Sequence, residues 1–153
     1  MGISEDIKQK KFVDNHQKAA INLIYTSNWL SEKIRSYLTT AELTPQQFNV
    51  LRILRGSHPE PLSTLQIRER MLDKMSDTSR IVDRLIKKGL VEKKVCKSDK
   101  RLVDIEITEN GLKLLLTLDK NSKQLEKQLG GLTESEAEML SDLLDKAREN
   151  YPL

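Results

Sequence analysis

Three capping boxes fix where helices begin along this chain of 153 residues. Each joins a Ser or Thr to a Gln or Glu three residues later: Thr44 with Gln47, Ser63 with Gln66, and Thr133 with Glu136. In such a box the hydroxyl accepts the N–H of the third helical residue, whose side chain reaches back to the capping residue. Pro45, at the first helical position, has the φ angle that a helix start needs. A mainly helical fold is therefore expected.

The hydrophobic pattern gives the remaining elements. An apolar series without Gly or Pro predicts one long helix near the N-terminus. Gly89 followed by Leu90 is typical of a helix that ends in a left-handed residue. Val103, Ile105 and Ile107 alternate with acidic residues, which indicates a half-buried strand. The predicted elements are helices over about 9–39, 44–56, 64–72, 75–88, 108–130 and 133–150, and strands over about 91–97 and 102–108.

Several classes of protein are not expected from the composition. No apolar run approaches the roughly 18–20 residues of a membrane span, and the N-terminus has no apolar signal core, which predicts a cytoplasmic chain. The single cysteine, Cys96, excludes an internal disulfide and a cysteine cluster for zinc. His16 and His58 lack a metal-ligand pattern, so neither a metal nor a cofactor is predicted. The sequence contains no paired carboxylates, Cys/His couple or phosphate loop in a plausible setting, so an enzyme is not expected.

Positive charge is concentrated in one region of the chain. Residues 80–101 contain nine Lys or Arg against three acids, a net charge of +6, whereas residues 119–149 carry a net charge of −3. A local excess of this kind suits a polyanionic partner. A solvated surface is the alternative interpretation.

The helix predicted over 75–88 has two distinct faces at 100° per residue. Thr78, Ile81, Val82 and Leu85 fall on the side expected to face the core. The opposite side and its flanks combine small hydroxyls with cations: Ser76, Ser79, Arg80, Asp83, Arg84, Lys87 and Lys88. Such a face suits a DNA groove, because short side chains allow close approach and arginine can bind guanine O6 and N7. Alternatively, Arg80 pairs with an acid on a solvated helix, and either Asp77 or Asp83 is expected to orient an arginine.

A short helix, a turn, a second helix and a two-stranded hairpin follow one another in the order of a winged helix-turn-helix. In that arrangement the second helix enters the major groove and the hairpin, or wing, reaches the neighbouring backbone or minor groove. The predicted hairpin tip is surrounded by cations and contains one acid, Asp99; the cations are Lys93, Lys94, Lys97, Lys100 and Arg101.

The segments "VDRLIKKGLV", "SDKR" and "ITENG" resemble the MarR family of bacterial transcription regulators, and the similarity extends over essentially the whole chain. The resemblance implies a homodimer that binds a palindromic operator in double-stranded DNA, most often as a repressor, and that a small ligand releases. It also implies that Arg101 is a minor-groove arginine supported by Asp99. The turn "LDKMSD" departs from the family's frequent start of the second helix. An architectural or protein-interaction winged helix with little sequence specificity remains the alternative.

Site residues follow from this interpretation. The predicted DNA-binding residues are Ser63, Ser76, Asp77, Ser79, Arg80, Arg84, Lys87, Lys97, Lys100 and Arg101. The DNA-binding lobe is predicted to span 44–108, and the helical dimerisation region 9–39 and 109–150. The predicted dimer interface contains Phe12, Val13, Leu118, Leu125, Leu129, Leu140 and Leu144; packing within the subunit is the alternative. Tyr25, Trp29 and Phe48 are candidates for a ligand pocket or for core packing. Cys96 is expected to be an ordinary strand residue, because the family's peroxide-sensing cysteine lies near the N-terminus instead.

Replacing Arg101 by Ala tests the wing. If Arg101 contacts the minor groove, Arg101→Ala should weaken operator binding and flatten its salt dependence, because fewer counterions are then released. Fluorescence anisotropy over a salt series measures both quantities. An unchanged affinity at physiological salt would remove the wing from the interface.

Overall fold

A computed structural model describes residues 2–95, 103–121 and 130–149 of the chain. Its helices are α1 (Ile3–Asp6), α2 (Asn15–Leu38), α3 (Pro45–Ser57), α4 (Thr64–Arg70), α5 (Thr78–Lys87), α6 (Glu109–Asn121) and α7 (Glu134–Arg148), with a 3-10 turn (Thr39–Ala41) after α2. Its strands are β1 (Leu62–Ser63), β2 (Val91–Val95) and β3 (Val103–Ile107). The predicted fold class, mainly helical with a small β-hairpin, is confirmed. Within these residues no helix is both long enough and apolar enough to cross a membrane.

All three capping boxes form as predicted, and they begin α3, α4 and α7. In each box both backbone N–H groups donate to the partner side chain, with N···O distances of 2.8–3.3 Å. The backbone N–H of Thr133, and after it the hydroxyl, stabilises the Glu136 carboxylate and holds its pKa below the ordinary value. These local bonds explain why the three helix starts could be predicted from the sequence.

The first long helix starts later than predicted. It begins at Asn15 rather than near residue 9, because the Asp14 carboxylate accepts the Gln17 N–H at 2.8 Å and so caps the helix. The Gln17 side chain in turn accepts the Val13 N–H at 2.8 Å. The separate short helix α1 precedes this start. Helix α3 ends at Ser57, one residue past its predicted end at Gly56.

The sheet has three strands in the order β1-β3-β2, all antiparallel. Val91 pairs with Ile107 and Val95 with Val103, so the predicted hairpin is present. The strand β1 was not predicted. It has two residues, and it exists because Leu62 pairs with Ile105 of β3, a contact that no local pattern reveals.

Helix α3 lies at the centre of the core. It contacts α2, α4, α5, α6 and β3, and its residues Val50, Leu51 and Leu54 are buried. The other buried apolar side chains of this cluster come from these elements, from β1 and β2, and from connecting segments: Leu38, Leu43, Leu62, Ile67, Met71, Val82, Leu85, Leu90, Val91, Ile105, Ile107, Leu115 and Leu118.

Helix α6 belongs to this core through its leucines. Leu115 is fully buried and Leu118 is 3% exposed within the single chain. The Tyr37 hydroxyl donates a hydrogen bond to the Leu118 carbonyl, and Arg55 pairs with Asp119 at 2.6 Å. Leu118 therefore packs inside its own subunit, and its predicted place in the dimer interface is wrong. Leu125 and Leu129 lie outside the described residues.

Gly111, in the first turn of α6, leaves no room for a side chain. A Cβ there would lie 2.4 Å from the Leu90 carbonyl oxygen and 2.7 Å from Cγ1 of Ile107. That carbonyl also accepts the Thr108 N–H, which limits its movement. Gly111→Ala should therefore lower the free energy of unfolding by about 3 kcal/mol, measured by urea denaturation.

Gly56→Ala is the matched control, because a Cβ at Gly56 meets no atom within 4 Å. This variant should raise the free energy of unfolding by about 0.5–1 kcal/mol, as expected for alanine in a helix. Similar stabilities for the two variants would contradict the tight contact at Gly111.

Candidate nucleic-acid interface

Helices α4 and α5 and the turn between them form a compact pair. Ile67 of α4 and Met71 just after it are fully buried, as are Val82 and Leu85 of α5. These four side chains join one core cluster. Because they occupy the inner sides of both helices, the outer sides are presented to solvent. The side of α5 that was predicted to face the core does so, because Thr78, Val82 and Leu85 are buried.

Helix α5 begins at Thr78, three residues later than predicted. Asp77 is the N-cap, and its carboxylate accepts the Arg80 N–H at 3.1 Å. In the turn before it, Asp73 accepts the Met75 N–H at 3.0 Å, and this bond is the largest cause of the lowered pKa of Asp73. The carboxylate of Asp77 is thus occupied by the backbone, and the structure gives it a capping role.

The outer face of α5 is cationic and carries a hydroxyl near its N-terminus. Ser79, Arg80, Arg84 and Lys87 are exposed, and Ser76 is half-buried just before the helix. Among the described residues, the charged groups of Arg80, Arg84 and Lys87 make neither an ion pair nor a hydrogen bond. No described residue of the subunit therefore competes with an external partner for these three cations.

Other cations of this region are held within the subunit. Lys93 of β2 pairs with Asp83 of α5 at 2.7 Å. Lys94 pairs with Glu106, and the hydrogen bond to this carboxylate raises the pKa of Lys94. The expectation that Asp77 or Asp83 orients an arginine side chain is wrong, because Asp83 binds a lysine and Asp77 caps the helix.

The C-terminal end of α5 is closed by the predicted left-handed glycine. Gly89 has φ +70°, and the Leu90 N–H returns to the Leu85 carbonyl at 3.0 Å. Beside it, Lys88 Nζ donates to the backbone carbonyl of Glu42, just after the 3-10 turn that follows α2. This bond ties the far end of α5 to the end of the N-terminal helical segment.

A cleft of about 420 Å³ lies between the N-terminal ends of α4 and α5. Helix α4 contributes Thr64, Leu65 and Arg68, and the start of α5 contributes residues 76–79. None of the three α4 residues was predicted as a site residue. Their place within or just after the Ser63–Gln66 capping box was a usable signal in the sequence. Their proximity to α5 is a tertiary contact that the sequence does not show.

The remaining predicted DNA contacts have different surroundings. The Ser63 hydroxyl accepts the Gln66 N–H at 3.2 Å and so caps α4. The residues predicted for the wing tip, together with the single cysteine, lie outside the described residues; they are Cys96, Lys97, Asp99, Lys100 and Arg101.

The three candidates for a ligand pocket differ in their exposure. Tyr25 and Trp29, both on α2, are 44% and 38% exposed. Phe48 of α3 packs partly against the core, and the Arg52 guanidinium lies 5.8 Å from its ring centroid. A single chain does not enclose the two aromatic residues of α2.

The N-terminal and C-terminal helices expose apolar side chains. In α2 only Leu38 is buried, and in α7 no described residue is buried. Of the predicted interface residues, Val13 is 86% exposed and Leu140 38% exposed, whereas Phe12 and Leu144 are half-buried. Exposed apolar surface of this extent on two helices is typical of a protein-protein interface.

A helix-turn-helix followed by an antiparallel hairpin, with β1 at the edge of the same sheet, defines a winged helix-turn-helix. A sequence profile of the MarR family matches residues 43–103. The HTH-type transcriptional regulator MhqR of Bacillus subtilis strain 168 is 26% identical over 122 residues, which are 79% of this chain and 83% of that protein.

Solved structures of MarR proteins are also similar to this chain. A MarR transcription factor from Planctomyces limnophilus is 34% identical, with a TM-score of 0.66 over 88% of this chain and 98% of that one. A mutant of Escherichia coli MarR complexed with operator DNA is 20% identical, with a TM-score of 0.77 over 90% of this chain and 99% of that one. The chain belongs to the MarR family, whose members are DNA-binding transcription regulators and not enzymes.

Thr78 offers a test of the buried side of α5. It is 4% exposed, and its hydroxyl has no hydrogen-bond partner in the part of the chain that the structure describes. Thr78→Val keeps the shape and removes the unpaired hydroxyl. The free energy of unfolding should therefore rise by about 1 kcal/mol in urea denaturation.

Thr44→Val is the control for the same chemical change. The Thr44 hydroxyl caps α3, so Thr44→Val should lower the free energy of unfolding by about 0.5–2 kcal/mol. Destabilisation by Thr78→Val would mean that the buried hydroxyl has a partner after all.

Proposed function

We propose that the chain is a homodimeric, sequence-specific repressor of transcription that binds a palindromic operator and is released by a small ligand. The observation that carries the proposal is the outer face of α5. Arg80, Arg84 and Lys87 point to solvent there without an internal partner among the described residues, while the nearby lysines of β2 are paired. A cytoplasmic location, where the chromosome of a bacterium is accessible, is part of the same proposal.

The positions of the cations along α5 give them different roles. Arg80 lies in the first turn of α5, beside Ser79, where a helix placed in the major groove meets base edges. Its guanidinium can therefore bind a guanine through two hydrogen bonds. Arg84 and Lys87 lie farther along the helix, where phosphates of the groove wall are the nearer partners. The operator complex of the similar E. coli protein supports a duplex as the ligand.

A second copy of the chain is the proposed cover for the apolar faces of α2 and α7. Met139, Leu140 and Leu143 of α7 are 38–61% exposed, and Ile24 of α2 is 63% exposed. Two copies joined through these helices would hold two α5 helices in fixed register. Their spacing then selects two half-sites about one helical turn apart.

Release by a ligand follows from the same geometry. A ligand that binds one spacing of the two α5 helices more tightly than another shifts the dimer toward that spacing. The surface of α2 that bears Tyr25 and Trp29, together with Phe48 of α3, is the proposed site. Its position between the dimerisation helices and the lobe suits a molecule that alters their relative orientation.

In-vitro selection of bound duplexes from a random pool tests the proposal. A palindromic motif with two half-sites should emerge, and the protein should sediment as a dimer in analytical ultracentrifugation. Recovery of DNA without any preferred sequence would support the architectural winged helix instead. A strictly monomeric protein would exclude the proposed operator geometry.

Arg80→Ala should weaken operator binding by about 1–3 kcal/mol and relax the preference at one or two base pairs. Arg84→Ala should weaken all sequences about equally, with a salt slope smaller by about one, because it removes a phosphate contact. Binding of each variant to a set of single-base operator variants measures both effects. Arg35→Ala, an exposed arginine on α2, is the control and should leave the affinity unchanged. Equal weakening of every sequence by Arg80→Ala would make Arg80 a phosphate contact.

A further inference from the structure

Leu65 is an apolar side chain in a polar cleft. It occupies the second position of α4, is 62% exposed, and lines the cleft between the ends of α4 and α5. All six other residues that line this cleft carry hydroxyls or charges: Thr64, Arg68, Ser76, Asp77, Thr78 and Ser79. The core does not use Leu65, because the inner side of α4 is provided by Ile67.

The surroundings of Leu65 select the kind of partner that could cover it. Arg68 lies three residues along the same helix and therefore on the same side, and both line the cleft. Across the cleft, the N-terminal end of α5 carries the partial positive charge of a helix start. The exposed Arg80 follows within the first turn. A polyanion with an apolar group at its surface complements this arrangement.

A DNA duplex offers one such apolar group in the major groove, the C5-methyl of thymine. We propose that Leu65 contacts the methyl group of a thymine in each half-site and so contributes to operator specificity. This inference rests on the proposed DNA-binding function. The helix α5 brings the major groove to the cleft, Arg68 contacts the phosphate that borders it, and Leu65 covers the methyl group from the α4 side.

Burial of one methyl group predicts the size of the effect. A methyl removed from water against an apolar side chain corresponds to roughly a fourfold change in affinity. Replacing the contacted thymine by deoxyuridine removes that methyl and leaves the base pairing intact. When a single thymine is replaced, the affinity of the wild-type protein should therefore fall about fourfold if that thymine is the contacted one. Each half-site should contain one such position.

The experiment compares variants on an operator obtained by selection, with each thymine changed singly to deoxyuridine. Leu65→Ala should bind the thymine and deoxyuridine forms equally, whereas Leu65→Met, which keeps an apolar side chain, should retain the preference. Arg68→Ala should weaken both forms by the same factor. Met75→Ala is the matched apolar control: Met75 is 93% exposed in the turn and does not line the cleft, so the preference should persist.

Two outcomes overturn the inference while leaving the proposed function intact. Wild-type protein could bind every deoxyuridine operator as tightly as the original, or Leu65→Ala could keep the thymine preference. In the second case, equal weakening of both forms would place Leu65 against a deoxyribose, a contact without sequence information. Selection that yields no preferred sequence would instead overturn the proposed function itself. A wild-type melting temperature for Leu65→Ala, expected for an exposed residue, confirms that folding is unaffected.

Discussion

Burial of Val82 and Leu85 in the same core cluster as Ile67 and Met71 is the packing on which the proposed DNA-binding surface depends. A helix has 3.6 residues per turn, so fixing two inward side chains fixes the direction of all the others. Arg80, Arg84 and Lys87 face solvent for this reason. The same contact sets α4 against α5 and thereby forms the cleft between their N-terminal ends. One side of this ten-residue helix thus packs into the core, and the opposite side carries the proposed DNA contacts.

Internal ion pairs decide which positive charges remain for a ligand. A count of charges along the sequence gives Lys93, Lys94 and Arg80 the same weight as possible ligand contacts. In the structure, however, Lys93 forms an ion pair with Asp83, and Lys94 forms one with Glu106. Exposed pairs of this kind contribute little to stability. Their larger consequence is that, in this part of the described chain, Lys93 and Lys94 are paired internally while the cations of α5 are not.

Local interactions explain what could be predicted. The capping boxes, the glycine end of α5 and the two faces of that helix each depend on residues a few positions apart, and the structure contains them all. The strand β1 was missed because its two residues form a strand only by pairing with β3.

Contacts between distant segments explain the remaining errors. Leu118 was assigned to the wrong environment because a leucine period indicates a buried side without saying which chain buries it. Leu65 and Arg68 are not among the predicted site residues, because their proximity to α5 arises only when the helices pack.

The hydrogen bond from Lys88 to the Glu42 carbonyl has a mechanical consequence. It anchors the rear of α5 to the backbone just beyond α2, while the front of α5, roughly 15 Å away at 1.5 Å per residue, remains unanchored by α2. Ser79 and Arg80 lie at that N-terminal end. A change in the angle between α2 and α5 about this bond would therefore displace Ser79 and Arg80 farther than Lys88.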